Sequence, residues 1–125
     1  MLPRPGDNRL VVAFSGGPDS TALLWGLKQV APELGVRLHA VHIDHQLDND
    51  SPRRATLARE LCTNLGVESS VLCCPVSEHS IAAAGSEAAA RRIRYEVLET
   101  QRQRLSAAYV VTAHHADDQI ETLLI

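Results

Sequence analysis

Three short segments of the 125-residue chain hold the residue types that do chemistry. Ser15-Gly-Gly-Pro-Asp-Ser20 is a glycine turn with two hydroxyls and a carboxylate. His39, His42, Asp44 and His45 form a second group, and His114, His115, Asp117 and Asp118 a third. The turn suits an anion. Gly16 and Gly17 admit positive φ and let the backbone come close to a ligand. The N-terminus of a following helix points N–H groups at a phosphate, and the hydroxyls of Ser15 and Ser20 add hydrogen bonds. Asp19 beside a polyphosphate calls for a bridging Mg2+ ion; in a plain turn it caps the helix. The turn lacks the Lys of G-x-x-x-x-G-K-S/T and the spacing of G-x-G-x-x-G, so it is neither a Walker A loop nor the dinucleotide fingerprint.

His and carboxylate groups are also metal ligands, which raises a metallohydrolase reading. The spacing opposes it. On a strand His42 and Asp44 share a face while His45 points away. His39 and His42 read better as histidines hydrogen-bonded at a strand end. In the third group, Asp118 near a nucleotide can hold Mg2+ or orient a nucleophile. Ordinary helix N-capping accounts for Asp117 and Asp118 as well. Arg91, Arg92, Arg94, Arg102 and Arg104 stud one helical segment, first of all a solvated face. Arg91 and Arg94, three apart, lie on one side and can meet phosphate or an RNA backbone.

The elements that position these groups alternate along the chain. Arg9–Phe14 reads as a buried strand and Asp19–Leu34 as a helix with Leu23, Leu24, Leu27, Val30 and Ala31 at helical spacing. Gly35 ends it. Val36–Ile43 is a second strand. Ser51 N-caps a helix to about Leu65, with Pro52 at its first position, and Gly66 stops it. Glu68–Val76 is a third strand, and Ser86 caps a long helix over Glu87–Leu105. Ala107–Thr112 is a fourth strand, His114–Asp118 a turn, and a further helix begins at Gln119. This βαβα alternation predicts an α/β fold: a doubly wound parallel sheet with helices on both faces. Ligands then sit at the carboxyl ends of the strands, where all three chemical segments fall.

Composition agrees with one globular domain. Hydrophobic residues make up 45% and charged residues 22%, which excludes a disordered chain. The net charge of −3 excludes a strongly basic nucleic-acid module as a description of the whole chain. Apolar runs reach about five residues, far short of the roughly 20 of a membrane span. The N-terminus has no apolar signal core. Cys62, Cys73 and Cys74 include no C-x-x-C and read as reduced, mostly buried thiols of a cytoplasmic protein.

The Ser15–Ser20 turn resembles the SGGxDS motif of the PP-loop ATP pyrophosphatases. Taken in order, SGGPDS, HIDHQLDNDS, SEAAARRIRYEVL and TAHHADDQIETLLI resemble the N-terminal adenylation domain of the tRNA(Ile)-lysidine synthetases. The matching segments are Ser15–Ser20, Val41–Ser51, Glu87–Tyr95 and Ala113–Thr122. The resemblance implies a reaction: ATP adenylates the C2 oxygen of the wobble cytidine of tRNA(Ile) with a CAU anticodon. The ε-amine of free L-lysine then displaces AMP, giving lysidine. By position, Ser15, Gly16, Gly17, Pro18, Asp19 and Ser20 would hold the ATP phosphates, and Asp19 and Asp118 would hold Mg2+. Asp118 alternatively guides the lysine amine, Arg91 and Glu87 lie near the reacting base or lysine, and His114 completes the catalytic set. The partners implied are tRNA(Ile), lysine and a second copy in a homodimer, with no membrane.

Two positions depart from the pattern. Asp48 stands where the family usually has Arg, and Arg54 where it often has Asp; a swapped charge pair would reconcile them. The apolar pattern runs to Ile125 without a stop signal. The expectation is therefore a partial adenylation domain over residues 1–125, lacking the C-terminal tRNA-binding domains and inactive by itself. The competing readings are another PP-loop tRNA modifier, such as a thiolase, and a non-catalytic ATP-binding module.

Overall fold

The computed structural model describes residues 8–46, 49–77, 79, 82–83, 85–114 and 119–124. Its elements are β1 (Asn8–Ala13), α1 (Pro18–Leu34), β2 (Val36–Asp44), α2 (Ser51–Leu65), β3 (Glu68–Cys73), α3 (Ser86–Arg104), β4 (Tyr109–His114) and β5 (Gln119–Leu124). The strands form one sheet in the order β3-β2-β1-β4-β5. The first four are parallel: β1 pairs with β2 from Asn8↔Val36 to Ala13↔Val41 and with β4 through Val12↔Val111. From β1 the chain winds out through β2 and β3, then crosses to β4 on the other side of β1. That reversal is the topological switch point of the doubly wound fold.

The helices cover both faces. Val12, Phe14, Leu38 and Ala40 pack with Leu24 and Ala31 of α1 and Ala58 and Cys62 of α2. On the opposite face Val11, Val41 and Val110 pack with Leu98 of α3 and Ala107. Period-two alternation makes this division, because neighbouring strand residues point to opposite faces. Leu24 and Leu98 are wholly buried. Each contributes about 2–3 kcal/mol relative to an exposed side chain.

Four expectations are corrected. The segment from Gln119 is a strand, not a helix: β5 lies antiparallel to β4, with Tyr109 opposite Leu124 and His114 opposite Gln119. Ile120 and Thr122 are β-branched. Both favour extended backbone, and pairing with the edge of β4 gives that backbone a ladder of hydrogen-bond partners. Ser51 is the first residue of α2 rather than its cap; Asp50 holds the N-cap position and pairs with Arg53 at 3.7 Å. Likewise α3 begins at Ser86 itself, after Gly85. Among the thiols only Cys62 is buried; Cys73 is exposed because β3 is an edge strand. Burial pushes the Cys62 thiol pKa up, and Cys74 moves the same way, through burial and then the neighbouring Cys73 and Asp44. Among the described residues no helix is long and apolar enough to cross a membrane.

Candidate functional site

The glycine turn joins β1 to α1. Phe14 still donates its N–H to Val41 O at 2.9 Å, so the chain leaves the sheet only at Ser15. Gly16 then takes φ +87°, a left-handed conformation that strains any residue with a Cβ. Space is not the constraint: a Cβ there would lie 3.9 Å from Ala58 Cβ, an ordinary contact. Gly17 is the N-cap, Pro18 fills the first turn, and Thr21 N–H donates to Gly17 O at 3.0 Å.

The two serines hold the turn together. Ser20 is buried, and its Oγ accepts from the N–H groups of Ser15 and Gly16, both at 3.2 Å. It also lies 2.9 Å from Ser15 Oγ, which accepts from Gly17 N–H at 3.2 Å. Hydroxyls expected to reach outward therefore shape the loop first. The loop's own N–H groups at Ser15, Gly16 and Gly17 are met within the turn, which fixes its shape at the mouth of α1. The first-turn N–H groups of a helix lack intrahelical acceptors, which attracts an anion.

This turn borders a cleft of about 580 Å3 at the carboxyl ends of β1, β2 and β4. Ala13, Val41 and Ile43 give it an apolar wall; Ser15, Gly17 and Ser20 face it from the turn. Arg54 of α2 and Arg94 of α3 bring two guanidinium groups from opposite sides of the sheet, and His42, His45 and Thr112 complete the lining. Among the described lining residues there is no carboxylate. A cationic cleft with an N–H-rich turn fits a phosphate chain beside an apolar group.

The second histidine group is structural in its contacts. His39 Nε2 lies 2.7 Å from Ser70 Oγ, and His42 Nδ1 lies 2.9 Å from Phe14 O. Both are hydrogen-bonded as expected, but only His42 lies near the strand end; His39 sits in the middle of β2. Burial lowers the His39 pKa, partly offset by Glu68. His45 Nδ1 lies 3.2 Å from Cys74 O, and buried Asp44 accepts from Gln46 N–H at 2.9 Å. Among the described residues no three of His, Cys, Asp and Glu stand together as a metal site.

The other predicted residues divide. Arg94 lines the cleft, whereas Arg91 lies over the Tyr95 ring at 5.4 Å and donates to its hydroxyl at 3.3 Å. The swapped pair is half visible. Asp48 lies outside the described residues, and Arg54 meets Asp50 at 4.0 Å. Asp19 begins α1 beside the turn. His114 ends β4 at the same end of the sheet as Ser15. The side chains of Glu87 and His114 lie outside the described residues, as do His115, Asp117 and Asp118 altogether. Sequence reasoning missed Thr112. Its signal was a threonine closing the largely apolar strand AAYVVT.

A doubly wound sheet with a glycine turn leading into a helix at its switch point is the arrangement of the α/β nucleotide-binding class. The model of the PP-loop domain family matches residues 1–125, and the chain belongs to that family. It is 42% identical over 124 residues to the tRNA(Ile)-lysidine synthase of Thermobifida fusca, covering 97% of this chain and 36% of that protein. It is 36% identical over 121 residues to that of Shouchella clausii, covering 93% of this chain and 25% of that protein. The chain thus spans a quarter to about a third of these relatives' length. Among solved structures, a U34-tRNA thiolase from Methanococcus maripaludis superimposes with a TM-score of 0.77 at 17% identity. The match covers 94% of this chain and 42% of that one, and is a likeness of fold.

Proposed function

We propose that this chain is the adenylating part of a tRNA(Ile)-lysidine synthetase whose tRNA-binding domains lie outside residues 1–125. The observation that carries the reading is the identity of up to 42%, along almost the whole chain, to relatives bearing that name. The cleft supports it: an N–H-rich turn and two arginines suit the phosphates of ATP, and the apolar wall suits a base.

In this reading the C2 oxygen of the wobble cytidine attacks the α-phosphorus of ATP, and pyrophosphate leaves. A carbonyl oxygen is a poor leaving group; bonded to AMP it becomes a good one. The ε-amine of lysine then attacks C2, loses its proton, and AMP departs. The Ser15–Ser20 turn holds the phosphates, and Arg54 and Arg94 neutralise charge as pyrophosphate separates. Asp19 and Asp118 would hold Mg2+, which would supply charge neutralisation on the phosphates. Asp118 or Glu87 takes the amine proton. Arg91 and His114 act at the base or the lysine.

The test uses the full-length product of the gene that encodes this chain. It is incubated with Mg-ATP, labelled lysine and bulk bacterial tRNA, and both the tRNA label and the nucleotide product are measured. Label in the tRNA together with AMP is the expected outcome. AMP without label moves the substrate to another tRNA modification or a small acceptor. Neither product, from a folded protein, replaces the reading with that of an ATP-binding module.

A further inference from the structure

One buried polar atom of the cleft has no function within the fold. Thr112 is 6% exposed, and its Oγ1 has no hydrogen-bond partner among the described residues. An unpartnered buried hydroxyl is unfavourable, so native structures rarely keep one without a use. The other buried polar side chains lining the cleft, Ser20 and His42, are both hydrogen-bonded. Thr112 lines the same cleft, and its buried hydroxyl keeps its bonding capacity unspent.

Its position says which group it faces. Val111 stands opposite Val12 in the β1–β4 register, so Thr112 falls beside Ala13, about 4.8 Å away across one strand spacing. Two residues beyond Ala13 is Ser15, the start of the anion turn. A nucleotide with its phosphates at that turn has its sugar as the next group along. Ala13, Val41 and Ile43 offer an apolar surface for a base and nothing to satisfy hydroxyls. A threonine hydroxyl both donates and accepts, as a sugar hydroxyl does. We propose that Thr112 Oγ1 hydrogen-bonds a ribose hydroxyl of the bound nucleotide and is a positioning residue for the ribonucleoside. The inference rests on the reading of this cleft as the ATP site.

The test compares Thr112→Val, which keeps the shape and deletes the hydroxyl, with Thr112→Ser, which keeps the hydroxyl. Both are made in the full-length gene product. Calorimetry gives affinities for ATP, 2′-deoxy-ATP and 3′-deoxy-ATP, and a thermal melt is recorded without nucleotide. The wild-type protein is expected to bind one deoxy analogue about tenfold more weakly than ATP. Thr112→Val is expected to bind ATP as weakly as wild type binds that analogue, and no longer to distinguish the two. Its nucleotide-free Tm is expected to rise, because an unpartnered hydroxyl has been removed. Thr112→Ser is expected to keep the affinity and the discrimination. Unchanged ATP affinity in Thr112→Val overturns the proposal. An equal loss for ATP and both deoxy analogues, with a lowered Tm, does so too and assigns the hydroxyl to the fold. A wild-type protein that binds no ATP overturns the proposed function and this inference with it.

Discussion

At the amino-terminal end of the sheet, Arg37 of β2 and Glu68 of β3 meet at 3.1 Å. They border a groove of about 270 Å3 that Lys28, Val36, Gly66 and Val67 also line. Cation and carboxylate answer each other there. At the carboxyl-terminal end the same sheet opens a cleft of about 580 Å3, which Arg54 and Arg94 enter and no described carboxylate lines. Its turn spends the N–H groups of Ser15, Gly16 and Gly17 on its own serine hydroxyls, and Thr112 holds a hydroxyl with no described partner. One end is closed by a direct ion pair; the other keeps a buried hydroxyl without a described partner at the edge of an open cleft. An unsatisfied buried group costs stability, so its place at this end marks where the fold serves binding.

The sharpest way to break this comparison is Gly16→Val. A β-branched side chain at φ +87° misplaces the N–H groups of the turn, so ATP affinity should fall at least about 100-fold by calorimetry, equivalent to about 2.8 kcal/mol. Preserved affinity would falsify the assignment of the turn as the phosphate site. Ser20→Ala comes next. It removes the acceptor for two N–H groups, and stability should drop about 1–3 kcal/mol by urea titration, with ATP affinity about tenfold weaker. At the other end, Gly66→Ala places a Cβ at φ +69°, 2.8 Å from the movable Lys28 Nζ. The expected loss is about 1–2 kcal/mol of stability with unchanged ATP affinity; a loss of affinity would show that the two ends are coupled. Arg37→Ala removes an ion pair whose side chains are more than half exposed, so stability should change by about 0–1 kcal/mol and ATP affinity not at all.

The smallest effect concerns pH. Burial lowers the pKa of His39 below its ordinary value of about 6.5, so the unfolded chain binds the proton more readily than the fold does. The stabilising difference is present above about pH 6.5 and is lost as pH falls through the folded pKa. Urea midpoints measured from pH 7.5 down to 5 should decline, and less steeply in His39→Gln. Equal slopes in the two proteins would remove His39 from the account.

Much of the sheet was legible because its signals are local. RLVVAF and VRLHAVHI are apolar, β-branched runs, and Gly35 and Gly66 punctuate the helices that follow or precede them. The turn itself was legible because two glycines and a proline between a strand and a helix mark a tight βα connection. Gln119–Leu124 misled because Leu123 and Leu124 satisfy a helical pattern as readily as a strand. The choice was made by the open edge of β4, which lies beside it in space. Ser51 and Ser86 misled because residue type marks a cap only to within one position, while the cap itself is a matter of backbone angles. Thr112 was passed over because a strand-end hydroxyl has no meaning until its surroundings are known.

By itself the sequence determined the alternation of strands and helices, the glycine turn between β1 and α1 and the family, since these follow from periodicity, glycine placement and motif order. Only the tertiary structure decided that Arg94 rather than Arg91 lines the cleft with Arg54. It also decided that Ser15 and Ser20 brace the turn before they meet any ligand, and that Thr112 is buried with a bond to give. Arg94 and Thr112 stand there because the crossover from β3 to β4 brings them beside β1, and the serine bonds form only once the turn is folded. Burial and hydrogen-bond satisfaction are properties of neighbours in space, and local pattern does not encode them.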